Sequence, residues 1–302
     1  MTSIIEEIEA LKRENDAVLL AHYYVEDEVQ AIADYVGDSY YLAKVAVGLK
    51  ERTIVFAGVS FMGESAKILN PDKTVLMPDP NADCPMAHMA EIEKIKAVRE
   101  EYEDVAVVCY INSTAELKMH SDVCVTSANA MKIVQALPNR NIFFIPDENL
   151  GRYIASKVPD KHFIFNEGFC HVHKSVTAEN IMRIKALYPQ AEVLMHPECT
   201  PEALETADYI GSTSGIIEYA TKSEKNEFIV ATEVGVLYKL KCQNPDKSFY
   251  GLGPKMFCPN MKKITLEKIR DCLKNHTGVV EVDDAKREKS LIPLKRMLDL
   301  AK

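Results

Sequence analysis

The stretch VLLAHYY, residues 18–24, is a short apolar run that ends in three ring-bearing side chains. It returns as VVCYINS at 107–113 and VLMHPEC at 193–199, so that His22, Tyr110 and His196 stand 88 and then 86 residues apart. The same two intervals recur downstream. They align Asp34, Asp122 and Asp208 in ADYVGDS, SDVCVTS and ADYIGST, with Ser39, Ser127 and Thr213 closing those segments. They align TIVFAG (53–58) with NIFFIP (141–146) and EFIVAT (227–232). They also align Lys73, Lys161 and Lys247 at the starts of KTVLMPD, KHFIFNE and KSFYGLG. Intervals that hold over separate segments mark three copies of one supersecondary unit.

Within each copy, Val- and Ile-rich runs alternate with amphipathic stretches such as DEVQAIADYV and EIEKIKAVREEY. Unbroken apolar strands between helices belong to a parallel sheet covered on both faces. The expected fold is α/β: three homologous three-layer α/β/α domains with parallel sheets, related by pseudo-threefold symmetry around a central site. The expected divisions are 1–104, 105–190 and 191–302, the last ending in a helix from KREKSLIPLKRMLDLAK. Ligands of open parallel sheets bind beyond the carboxyl ends of the strands. His22–Tyr23–Tyr24, Tyr110–Ile111–Asn112 and His196–Pro197–Glu198 all fall at that edge.

The chain of 302 residues is 47% hydrophobic and 27% charged, an ordinary globular mix. No stretch approaches the roughly 20 apolar residues of a membrane-spanning helix. The opening MTSIIEEIEALKREN reads as an acidic amphipathic helix and not as a signal peptide, so a soluble cytoplasmic protein is expected, with no membrane association. A net charge of −9 argues against nucleic-acid binding, which needs clustered Lys and Arg. GVSFMGES (58–65) has Glu64 where a phosphate loop needs Lys, and GLGPKM (251–256) lacks the third glycine of a dinucleotide fingerprint.

Of eight cysteines, three occupy equivalent positions in the repeat: Cys84 in MPDPNADCPM, Cys170 in FNEGFCHVH and Cys258 in GPKMFCPNM, 86 and 88 residues apart. Each follows a strand and a loop. Cys109, Cys124 and Cys272 read as packing, and Cys242 has no evident role. The three repeated cysteines could also be packing that recurs because the fold recurs. As ligands, they are one short of a structural zinc site. A [4Fe–4S] cluster usually takes four cysteines, so three would leave one iron open as a Lewis acid. His171 and His173 stand beside Cys170 as further possible ligands.

Over nearly the whole chain the sequence resembles the quinolinate synthase family, the A protein of NAD biosynthesis. The stretches that carry the resemblance are AHYY, EVQ, IADYVGDS, NPDK with CPMA, YINSTAE, TSANA, PDENLG, CHVH, VLMHPEC, ADYIGSTSG and CPNMKKITLEK. VEDE after AHYY and NEGFCHVH, which lacks a Trp before its glycine, depart from the family pattern without removing a ligand or an acid/base candidate. The resemblance implies condensation of iminoaspartate with dihydroxyacetone phosphate to quinolinate, with loss of phosphate and water. It implies a [4Fe–4S] cluster held by Cys84, Cys170 and Cys258, with the open iron at the active site. It also implies a functional partner that supplies iminoaspartate, an aspartate oxidase or dehydrogenase.

Both implied substrates are anions. His22, Asn112 and His196, with the hydroxyls of Ser39, Ser127, Ser212 and Thr213, are the candidates for binding carboxylate and phosphate. Plain helix capping is the alternative for each hydroxyl. Proton transfer needs groups at the same edge: Tyr24, Tyr110, His196 and Glu198 qualify. The resemblance makes Tyr24 and Glu198 the main acid/base groups and gives Tyr110 a substrate-positioning role. Tyr23 and Tyr41 are expected to be structural. Two other functions compete: a non-enzymatic iron–sulfur or metal-binding sensor, and a zinc lyase.

Overall fold

The computed structural model describes residues 3–302. Its strands form three separate four-stranded sheets. The first holds β1 (Ala17–His22), β2 (Tyr35–Gly37), β3 (Thr53–Ala57) and β4 (Thr74–Leu76). The second holds β5 (Val105–Tyr110), β6 (Val123–Val125), β7 (Asn141–Ile145) and β8 (His162–Phe165). The third holds β9 (Glu192–Met195), β10 (Tyr209–Ile210), β11 (Glu227–Ala231) and β12 (Ser248–Gly251). Each sheet has the same order, second–first–third–fourth, and every pairing is parallel. The expected α/β class with three parallel sheets is what the chain adopts.

In this order the chain leaves the first strand in one direction and returns on its other side. A crevice therefore opens between the carboxyl ends of the first and third strands of each sheet. Both faces are buried, as the unbroken apolar runs require. In the third sheet, Val193, Met195, Ile229 and Ala231 enter one core, while Leu194, Phe228 and Val230 enter another. That is the two-residue alternation of a strand.

Two of the repeated polar residues are scaffold devices. Asp34 accepts from Leu19 N at 2.7 Å, Asp122 from Val107 N at 2.7 Å and Asp208 from Val193 N at 2.8 Å. The backbone N–H of each aspartate donates back to the carbonyl of the same strand residue. The chain entering each second strand is thus sutured to the first. Lys73 donates to Leu49 O and Glu51 O, Lys161 to Leu137 O and Asn139 O, and Lys247 to Ala220 O and Ser223 O, all at 2.6–2.8 Å. Each lysine gathers carbonyls at or just beyond the end of the helix before the third strand, where the helix dipole favours a cation.

Beyond β12 the chain leaves its own sheet. Helix Leu266–Asn275 packs on the amino-terminal helix Ile4–Glu14. Helix Asp284–Leu300 packs on helices Ser60–Leu69 and Ala115–Met119 and on β6, with Leu294 and Met297 fully buried. The carboxyl-terminal segment, counted with the third repeat on sequence, lies in space against the first and second. No helix among the described residues is long and apolar enough to cross a membrane.

Candidate active site

The carboxyl ends of β1, β5 and β9 open onto one cavity of about 800 Å³, mouth and open solvent included. The first unit brings His22 and Tyr24 to it, the second Tyr110 and Asn112, the third His196 and Glu198. Ser39, Ser127 and Thr213 line it, as do Cys84, Cys170, Cys258 and His171. Ser212 is not among the lining residues. Its Oγ accepts from Gly215 N at 3.1 Å and caps helix Thr213–Lys222. Asp38 caps helix Ser39–Gly48 in the same way, accepting from Tyr41 N at 2.9 Å. Asp38 and Ser212 share a register in the repeat, so Ser39 and Thr213, one residue on, keep their hydroxyls free of the cap. Tyr23 is buried in the third unit's core and Tyr41 is exposed.

His22 and His196 are built alike. Tyr24 N donates to His22 Nδ1 at 3.2 Å, and Glu198 N to His196 Nδ1 at 3.3 Å. An Nδ1 that accepts puts the ring hydrogen on Nε2. In His196 that atom meets Ser127 Oγ at 3.2 Å. Burial lowers both imidazoles to about 3. Both are therefore neutral N–H donors at working pH.

Glu198 is almost fully buried. His173 Nδ1 lies 2.7 Å from its Oε2, and the Tyr110 hydroxyl donates to its Oε1 at 2.5 Å. Burial opposes charge on Glu198, but the facing His173 and His196 and the bonds from His173 and Tyr110 outweigh it. They hold the carboxyl well below its usual range. Burial, with the charge of Glu198, pushes Tyr110 well above the ordinary phenol value, and burial does the same to Tyr24. The cavity thus sets an ionised carboxylate beside two protonated phenols, a base next to two acids.

After each cysteine the chain turns into a short 3₁₀ helix, at Pro85–His88, His173–Ser175 and Met261–Lys263. The turn aims amide N–H groups at sulfur: Met86 and Ala87 at Cys84, His173 at Cys170, Asn260 and Met261 at Cys258. Burial raises all three thiols, Cys84 to about 12 with a contribution from Cys258. The amides act against that rise, as bound metal would. Among the described residues, the one trio of possible ligand atoms lying mutually within 4.8 Å is Cys170, His173 and Glu198. The three repeated cysteines are not such a trio. A single zinc, at about 2.3 Å from each sulfur, would need its thiolates within about 4.6 Å of one another. Three sulfurs around one cavity, not all within 4.8 Å of one another, suit a cluster with one cysteine per iron.

Carboxylates hold two of these loops. Asp147, just after β7, accepts from Cys170 N at 3.1 Å, and Glu233, just after β11, accepts from Cys258 N at 3.1 Å. Burial pushes both carboxyls up, Glu233 to about 7 against the pull of Lys262. They lie 86 residues apart in the same register of the repeat. That register was a signal available in the sequence. The first unit has Val59 there, and Cys84 N is held instead by Asp83 at 2.8 Å. The sequence reading also passed over Thr126, whose buried hydroxyl lines the cavity without a partner, as does Asn112 Oδ1. Unpaired buried polar atoms are costly, and a polar ligand in the cavity would satisfy both. The lining has no lysine or arginine, so an anion there meets neutral donors and the free N–H groups of helix ends. Cys199 is fully buried, its sulfur against Ala231 O at 3.8 Å.

Residues 6–299 match the family model described as Quinolinate synthetase A protein. A protein of Fusobacterium nucleatum named quinolinate synthase is 55% identical over 98% of this chain and 99% of its own. A quinolinate synthase of Clostridioides difficile is 52% identical over 98% of this chain and 97% of its own. Quinolinate synthase 2 of Methanosarcina acetivorans is 48% identical over 99% and 96%.

Proposed function

The chain belongs to the quinolinate synthase family, and on that premise we propose that it joins iminoaspartate to dihydroxyacetone phosphate in the cavity between its three sheets. The products are quinolinate, one phosphate and two waters, which balances the atoms. Family membership makes it an enzyme and sets aside the alternative of a non-enzymatic sensor. The observation that carries the reading is the meeting, in one cavity, of three strand ends and three repeat-related cysteines.

Cys84, Cys170 and Cys258 would hold a [4Fe–4S] cluster, which supplies a Lewis acid at the iron that no cysteine takes. The protein's own groups do the rest. His22 and His196 present neutral Nε2–H donors, and Ser39, Ser127, Asn112 and Thr213 add polar contacts; together they bind carboxylate and phosphate. Neutral donors suit this work because they hold an anion without fixing it as an ion pair. Glu198, held ionised, takes a proton from carbon or nitrogen. Tyr24, held protonated, gives one to a departing hydroxyl. Tyr110 holds Glu198 in place and closes the wall beside it. Ser212 serves the site indirectly, by capping the helix that presents Thr213.

Iminoaspartate forms by two-electron oxidation of aspartate, so the functional partner is an aspartate oxidase or dehydrogenase. We place the enzyme in the cytoplasm, where reducing conditions preserve thiols; all eight cysteines of this chain are unpaired. The proposed units remain 1–104, 105–190 and 191–302, one sheet in each.

The test is anaerobic purification of the wild type and Cys258→Ser, with iron, acid-labile sulfide and quinolinate formation measured on both. About four iron and four sulfide per chain, lost with activity in the variant, is the expected result. Zinc in the fresh protein, or turnover that survives in air without iron, would overturn the mechanism.

A further inference from the structure

The repeat separates scaffold from site. Residues that build the fold recur in all three units, as the suturing aspartates and the carbonyl-gathering lysines do. Thr232 does not recur: its register mates are Gly58 and Pro146. It follows β11 at the crevice of the third sheet and is almost fully buried. It is not part of the cavity wall. Its Oγ1 lies 2.9 Å from the Tyr24 hydroxyl and 2.9 Å from His173 Nε2. One hydroxyl of the third unit thus touches the first and the second.

The Glu198 carboxylate only accepts, so His173 turns an N–H at Nδ1 toward it, 2.7 Å away. Its Nε2 faces the Thr232 hydroxyl, which faces the Tyr24 hydroxyl in turn. The Tyr24 hydroxyl also lies 2.6 Å from Thr213 Oγ1. The row Thr213–Tyr24–Thr232–His173–Glu198 is therefore continuous, and Thr232 links the phenol to the imidazole. We infer that Thr232 is a positioning residue that fixes the hydroxyl of Tyr24 and couples it to Glu198 through His173. The inference rests on the acid/base reading of Tyr24 and Glu198 given above.

Thr232→Val keeps the shape and removes the hydroxyl; Thr232→Ser keeps the hydroxyl. Because a reacting group shifted by about 1 Å can cost about 100-fold in rate, Thr232→Val should lower kcat by about 10- to 100-fold. KM for both substrates and iron per chain should stay within about twofold. Thr232→Ser should restore kcat to within about threefold of wild type, and Thr232→Val should cost nothing further on the residual rate of Tyr24→Phe. Wild-type kcat in Thr232→Val beside a crippled Tyr24→Phe would overturn this inference alone. So would a loss that serine does not repair, or one confined to KM. Full turnover in Tyr24→Phe would overturn the acid/base reading itself, and this inference with it.

Discussion

The Tyr110 hydroxyl donates to Glu198 Oε1 at 2.5 Å, reaching from the end of β5 to the loop after β9. The phenol keeps its hydrogen because burial and the facing carboxylate both oppose its ionisation. Tyr110→Phe removes one of the bonds that keep Glu198 charged and aimed. We expect kcat to fall by roughly 10- to 100-fold, with iron content retained. If kcat stayed within about twofold of wild type, Tyr110 would be wall and nothing more.

Asp147 and Glu233 each hold the amide of a cysteine. Truncating either to alanine leaves that amide without its buried acceptor, a loss of about 1–3 kcal/mol at the loop. Asp147→Ala and Glu233→Ala should therefore carry less iron per chain and bleach faster in air than wild type. Asp147→Asn, which still offers an oxygen, should lie between. Iron content and bleaching rate equal to wild type in both alanine variants would mean that the loops hold themselves.

Lys161 serves the scaffold of the second unit, far from chemistry in role. Lys161→Met removes the donor from Leu137 O and Asn139 O. The expected cost is about 1 kcal/mol, since the ammonium is half-exposed and its bonds are partly replaced by water. A urea midpoint shift of that size with kcat unchanged is the prediction. A change in kcat without one would assign this lysine to the site.

Asp79 accepts from Lys268 Nζ at 2.6 Å and from Asn81 N at 2.8 Å. Burial opposes its charge, but Lys268 and the amide outweigh burial and set its pKa below the usual 3.8. A carboxyl that is more acidic folded than unfolded stabilises the fold above the unfolded value. That contribution fades as pH falls through the folded one. Asp79→Asn should be less stable than wild type at neutral pH, and the gap should close below about pH 3.8. Denaturant midpoints at several pH values decide it; a gap of constant size from neutral to acid would rule the contact out as a source of pH dependence.

What the sequence made legible follows from repetition. The three sheets, the cysteines and the strand ends recur at 86 and 88 residues because the same bonds must form in each unit. Asp34, Asp122 and Asp208 recur for that reason, as backbone sutures. The roles of single residues were harder to read. Ser212 looks like a fourth binding hydroxyl until it is set in register with Asp38, when its place as a cap becomes plain. Thr232 belongs to no periodic set, since a site that binds two different molecules is not symmetric; Thr126 stands in register with Asp38 and Ser212 but, unlike them, leaves its side chain unpaired. The lodging of helix Asp284–Leu300 against the first two units depends on contacts between residues about 170 apart, such as Ser290 with Ala115, which no local pattern announces.

Joining the three units in one chain has an evolutionary consequence. If each unit were a separate polypeptide closing into a ring, any substitution at a crevice would appear three times around the axis. In a single chain a substitution appears once. Thr232, opposite a glycine and a proline in its sister copies, is a change that a ring of identical subunits could not have made in one place only.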